Sequence, residues 1–147
     1  MINEYLKLYK SLNKNKVKYI IIGGVACIIY GVPRTTLDID IFIERTPGNA
    51  ARLLKALDEA GFGTASMTTP KRIAENELSV FEDYLRLDVM TKVKGLNFDD
   101  AWKNRTVKKI EGITVNLASI EDIIKSKSAS RRKSDIDDIK TIKKIVR

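Results

Sequence analysis

A chain of 147 residues, 44% hydrophobic and 31% charged, has the length and make-up of one folded domain and excludes disordered and fibrous classes. It contains no histidine, which excludes serine–histidine hydrolases, zincin-type sites and histidine-dependent phosphohydrolases. Acid, base and metal-ligand chemistry then falls mainly to carboxylates, whose oxygens favour Mg²⁺ or Mn²⁺. The formal net charge of +8 sits at the ends, with five Lys against one Glu in residues 1–20 and nine Lys/Arg against three Asp in 125–147. That distribution suits a nucleotide or nucleic acid, and it equally suits solvated helix faces.

No apolar run reaches membrane-spanning length, and the start, "MINEYLKLYK", lacks a secretory pattern, so a cytoplasmic protein with no membrane contact is expected. The single Cys27 has no disulfide partner and reads as a small buried hydrophobe.

Taken in chain order, Tyr5, Leu6, Leu8, Tyr9 and Leu12 recur at helical spacing and predict a first helix over Asn3 to Asn13. "VKYIII", Val17 to Ile22, is a β-branched run stopped by Gly23 and Gly24 and predicts a buried strand. A short helix over Val25 to Gly31 follows, closed by Gly31 and Pro33. "LDIDIFIE", Leu37 to Glu44, is the next strand, and Pro47 to Ala60 is a helix with Pro near its first turn and Gly61 as its stop. Pro70 to Asn76 predicts a short helix. "LSVFEDY" and "LRLDVMT" predict two strands joined through Glu82 to Tyr84, and Asn97 to Lys103 a helical turn. "TVKKI" and "ITVNLA" flank Glu111 and Gly112 as a hairpin; one helix starts after Ser119 and a last one at Ser134 or Asp135. The expected fold is α/β (α+β), a mixed sheet flanked by helices, in a single domain over 1–147 with two C-terminal helices at about 119–145.

Within "LDIDIFIE", alternation puts Asp38, Asp40 and Phe42 on one face and Ile39, Ile41 and Ile43 on the other. Two readings fit the Asp pair. It is solvated on a wet strand face, or it binds cations, because like charges on one strand face repel unless something positive lies between them. In "LRLDVM" the same alternation presents Asp88 away from Leu85, Leu87 and Val89. Were the two strands adjacent, Asp88 would complete a triad suited to a pair of divalent ions; alone, it would pair with a nearby Lys or Arg. Gly23 and Gly24, between a strand and a helix, allow a phosphate to approach backbone N–H groups, or simply make a tight turn.

"IIGGVACIIYGVPRTTLDIDIFI", with Asp88 in a later strand, resembles the nucleotidyltransferase fold of the DNA polymerase beta superfamily. The tail "SIEDIIKSKSASRRKSDIDDI" is similar to a segment of small AbiEii-like bacterial and archaeal nucleotidyltransferases, with Lys127, Arg132, Asp135 and Asp138 at the family's positions. Gly24 stands where many members have Ser, and Ser134 where the tail pattern has Lys, with Lys133 beside it. The resemblance implies that Gly23 and Gly24 hold nucleotide phosphates and that Asp38, Asp40 and Asp88 are the catalytic metal ligands for two Mg²⁺ or Mn²⁺ ions. It further implies that Arg34 and Thr36 steady phosphate or orient the carboxylates, and that Lys127 and Arg132 reach the triphosphate. The implied reaction moves a nucleoside monophosphate from an NTP to a hydroxyl of an RNA such as tRNA, a protein or a small molecule. A toxin role with an antitoxin partner and an oligomeric state belong to the same expectation. The alternative is a non-catalytic nucleotide- or nucleic-acid-binding module that keeps the fold.

Overall fold

The computed structural model describes residues 2–36, 38–130 and 132–145. Leu37, at the start of the predicted aspartate strand, and Arg131, in the family-like tail, lie outside the described residues. Helix α1 (Ile2–Lys14) leads into β1 (Tyr19–Ile22), α2 (Gly23–Ile29), β2 (Asp38–Ile43) and α3 (Pro47–Glu59). A 3₁₀ turn (Gly63–Met67) and α4 (Pro70–Glu75) precede β3 (Leu78–Glu82) and β4 (Arg86–Met90). Then come α5 (Phe98–Asn104), the hairpin β5 (Thr106–Ile110) and β6 (Ile113–Leu117), α6 (Ile120–Ser130) and α7 (Lys133–Ile145). The expected α/β class with a mixed sheet is what forms. Among the described residues no helix is long and apolar enough to cross a membrane.

Helix starts follow local chemistry. Thr46, Thr69, Asn97 and Ser119 each accept a hydrogen bond from the backbone N–H three residues on, and Pro47 and Pro70 occupy first-turn positions where a missing N–H costs nothing. The β5–β6 hairpin turns through Glu111 (φ 48°) and Gly112 (φ 82°), the paired left-handed conformation that a two-residue hairpin requires.

The six strands lie in the order β3-β4-β2-β1-β6-β5. Neighbours β2 and β4 are parallel, as are β1 and β6, while β1–β2, β3–β4 and β5–β6 are antiparallel. Ile39, Ile41 and Ile43 are fully buried, as are Leu87 and Val89 on β4, so the aliphatic face of the central strands makes the core. The opposite face carries the aspartates. Phe98 of α5 packs edge-on against Phe42 at 5.2 Å and closes the far end of that face, while α2, with α6 packed against it, borders the near end.

Two boundaries differ from expectation. Strand β1 begins at Tyr19 and not Val17, because Val17 N–H is taken by the Leu12 carbonyl at the end of α1 and Lys18 N–H by Asn49 Oδ1. Helix α2 begins at Gly23 itself, with no intervening turn, so the glycine pair is the helix's first turn.

Candidate active site

The parallel pairing of β2 with β4 sets Asp40 opposite Asp88 and Asp38 opposite Arg86. Since side chains alternate, all four share one face. Asp40 and Asp88 are therefore direct cross-strand neighbours. Burial, first, and then the charges of Asp88 and Asp38 push the Asp40 carboxyl up to about 6, with Lys127 pulling the other way. This is a three-carboxylate cluster with one cation, Arg86, on its own face. Its donors are all oxygen, which fits a hard divalent cation. The three carboxylates are not closed into a cage: among the described residues no three His, Cys, Asp or Glu side chains converge as a preformed metal centre.

Gly23 explains how helix α2 comes so close. Its φ is +69°, and a Cβ there would fall 2.2 Å from Asp40 Oδ2, so only glycine lets the backbone lie against that carboxylate. A Cβ on Gly24 would meet Thr36 Cβ at 3.2 Å and Arg34 Cζ at 3.4 Å. Thr36 Oγ1 in turn lies 3.4 Å from Asp38 N, tying the approach loop to the start of β2. Seven sequence-predicted residues, Gly23, Gly24, Arg34, Thr36, Asp38, Asp40 and Asp88, are thus gathered at one corner of the sheet.

The C-terminal residues meet a different environment from the open triphosphate contact expected for them. Lys127 is buried, its Nζ 3.1 Å from Asp135 Oδ1 and 2.8 Å from Asp138 Oδ2. Burial alone would lower its pKa; the hydrogen bonds to Asp138 and Asp135 outweigh that, and the ammonium stays charged. Arg34 Nη1 donates to the same Asp138 carboxylate at 2.5 Å, so α7 holds the arginine that borders Gly24. Arg132 Nε donates to Asp135 Oδ2 at 2.8 Å while 76% of its side chain stays exposed. Ser130 Oγ donates to Asp135 as well. Cys27 is fully buried, and burial pushes its thiol up to about 11, which makes it an inert core residue.

Two features escape a reading of the sequence. Asp135 and Asp138 were placed by family pattern with no role, and their role is to clamp Lys127 and Arg34. Arg86 bonds Asp88 (Nε to Oδ1, 3.1 Å) and stands 3.9 Å from Asp38 Oδ1. Its signals are its position two residues before Asp88 on the same strand face and the reading that Asp88 pairs with a nearby Lys or Arg; its meeting with Asp38 has none.

Residues 1–146 match the family described as "Nucleotidyltransferase of unknown function (DUF6036)". The match is to nucleotidyltransferases in general and does not single out the AbiEii-like group. No curated protein matches the chain in sequence. Among solved structures, the chain is similar to an antigenic nucleotidyltransferase-like protein from Paracoccidioides brasiliensis, with TM-score 0.60 and 20% identity over 93% of this chain and 74% of that one. It is also similar to a candidate nucleotidyltransferase from Thermotoga maritima, with TM-score 0.58 and 17% identity over 95% of this chain and 88% of that one. At such identities the likeness establishes a shared fold.

Proposed function

The chain belongs to the nucleotidyltransferase family DUF6036, and from that premise we propose that it transfers a nucleoside monophosphate from an NTP to a hydroxyl acceptor in a metal-dependent reaction. The observation that carries this reading is the register of β2 and β4, which aligns Asp40 with Asp88 on the face where Asp38 also lies. Asp38, Asp40 and Asp88 are the residues that would hold two Mg²⁺ or Mn²⁺ ions, which neutralise polyphosphate charge and polarise the attacking hydroxyl.

The chain's own contribution is positioning and proton removal. Backbone N–H groups of Gly23 and Gly24 receive the phosphates, and Arg34, held by Asp138, flanks them. Asp88 takes the proton of the acceptor hydroxyl. That oxygen attacks the α-phosphorus, the bond from it to the bridging oxygen breaks, and pyrophosphate leaves. Of Lys127 and Arg132, the exposed Arg132 would turn from Asp135 to the triphosphate, whereas Lys127 would act by holding α6 and α7 together. The acceptor is a hydroxyl of RNA, protein or a small molecule; the basic ends favour RNA by charge, and pairing with an antitoxin is the corresponding partner proposal.

Calorimetric titration of the four NTPs, with and without Mg²⁺, into wild type and an Asp38→Asn/Asp40→Asn double variant tests this. Binding that needs Mg²⁺ and vanishes in the folded double variant is the expected result. Absence of binding under every condition would overturn it in favour of a non-catalytic module.

A further inference from the structure

The carboxylate face carries a cation of its own. Arg86 is the direct cross-strand partner of Asp38 and lies two residues before Asp88, so its side chain projects among the acids. Nε donates to Asp88 Oδ1 at 3.1 Å and stands 3.9 Å from Asp38 Oδ1. The Arg86 side chain is 43% exposed against 16% for Asp88 and 45% for Asp38, so the guanidinium lies on the solvent side of Asp88 and level with Asp38. The charges of Asp88 and Asp38, together with the bond to Asp88, raise the Arg86 pKa, and the group is a permanent cation.

We propose that Arg86 is a positioning residue, the built-in countercharge of the carboxylate face, and that its hydrogen bond to Asp88 and ion pair with Asp38 compete with the binding of a divalent cation. This rests on the nucleotidyl-transfer reading and deepens it. Arg86 occupies an acceptor site of Asp88 Oδ1 that would otherwise be open to a metal, and a guanidinium beside a divalent ion is repelled. A metal ion alone must therefore displace Arg86 into water with no replacement partner. A metal ion arriving with polyphosphate brings one, because a phosphate presents two oxygens to the planar fork of an arginine. Arg86 thereby links cation occupancy to the presence of the nucleotide's phosphates and keeps stray cations weakly bound. The carboxylates remain apart from a closed cage in the meantime.

Titration with Mn²⁺ alone, followed by calorimetry, tests this in wild type, Arg86→Gln, Arg86→Lys and Asp38→Asn/Asp40→Asn. The Gln variant is expected to bind Mn²⁺ roughly three- to tenfold more tightly than wild type, the loss of one charge-assisted competitor. The Lys variant, which keeps the charge, is expected to stay close to wild type. Adding inorganic tripolyphosphate should strengthen Mn²⁺ binding more in wild type than in Arg86→Gln, so that the two converge. Equal or weaker Mn²⁺ binding by a folded Arg86→Gln, or an Arg86→Lys that behaves like Gln, would overturn the inference. The nucleotidyl-transfer reading would still stand if the double Asp variant loses Mn²⁺. If no variant, wild type included, binds Mn²⁺ with or without tripolyphosphate, both fall.

Discussion

At Gly23 the backbone conformation and the placing of the Asp40 carboxylate are one constraint. Alanine there would have to keep a φ of +69° and place Cβ 2.2 Å from Asp40 Oδ2. We expect Gly23→Ala to cost about 1–3 kcal/mol of stability, seen as a lower unfolding midpoint, and to weaken Mn²⁺ binding by pushing the Asp40 carboxylate aside. Gly24→Ala is the control: its Cβ meets Thr36 at 3.2 Å, a contact a small shift relieves, so its loss in both measurements should be smaller. The sequence told that a glycine pair after a strand matters for close approach, and named phosphate as the approaching group. That a carboxylate also fills the missing Cβ's space depends on the β1–β2 register, which pairs Ile22 with Asp40 and is visible only in three dimensions. Arg86 was hidden for the same reason. An arginine on the wet face of a strand looks like a solvated residue until the neighbouring strand sets Asp38 opposite it.

Elements were more legible than contacts, because periodicity and caps are local. Two-residue alternation marks the Asp-x-Asp strand and the Asp88 strand, and Pro47, Pro70 and Ser119 mark helix starts; the cap at Thr46 shows only in the structure. The 3₁₀ turn at Gly63–Met67 was not, since "GTASM" holds small residues with no apolar period to detect. Nor was the shortening of β1, which a distant side chain causes. Asn49, fully buried on α3, accepts from Lys18 N–H at 2.8 Å and donates to the carbonyls of Lys18 and Glu44 at 3.1 and 3.0 Å. It therefore satisfies backbone groups at the ends of β1 and β2 together, at the point where α3 crosses them. Asn49→Ala should cost about 2–4 kcal/mol in denaturant unfolding, because buried backbone groups would be left without partners. Asn49→Asp would keep the acceptor but turn a buried carboxylate oxygen toward the Lys18 and Glu44 carbonyls, and is expected to cost at least as much as Asn49→Ala.

Across the molecule, α7 packs Ile142 into the core and reaches the carboxylate-bearing end of the central strands through charge. Asp138 bonds both Lys127 of α6 and Arg34 of the loop before β2, and Asp135 bonds Lys127, Ser130 and Arg132. Breaking such a buried network is costly even where building it is nearly neutral, because each orphaned charge stays out of water. Burial alone would raise the pKa of Asp135, but hydrogen bonds from Ser130, Arg132 and Lys127 together hold it below its ordinary value. A carboxyl depressed in the folded state contributes stability that is complete above its unfolded pKa of about 4 and is lost as pH falls through the lower folded value. Acidification below about pH 4 should then loosen α6 and α7, which Asp135 joins, before the central strands, while β1 and β2 keep their ladder. Hydrogen exchange resolved along the chain checks this: amides of Lys133–Ile145 are expected to speed up below that pH well ahead of those of Tyr19–Ile22 and Asp38–Ile43. In Asp135→Asn the C-terminal helices should exchange faster already at neutral pH and change less on acidification. Uniform acceleration of all three segments in wild type would mean that the network does not define a separate unit, and that the C-terminal helices share the stability of the sheet.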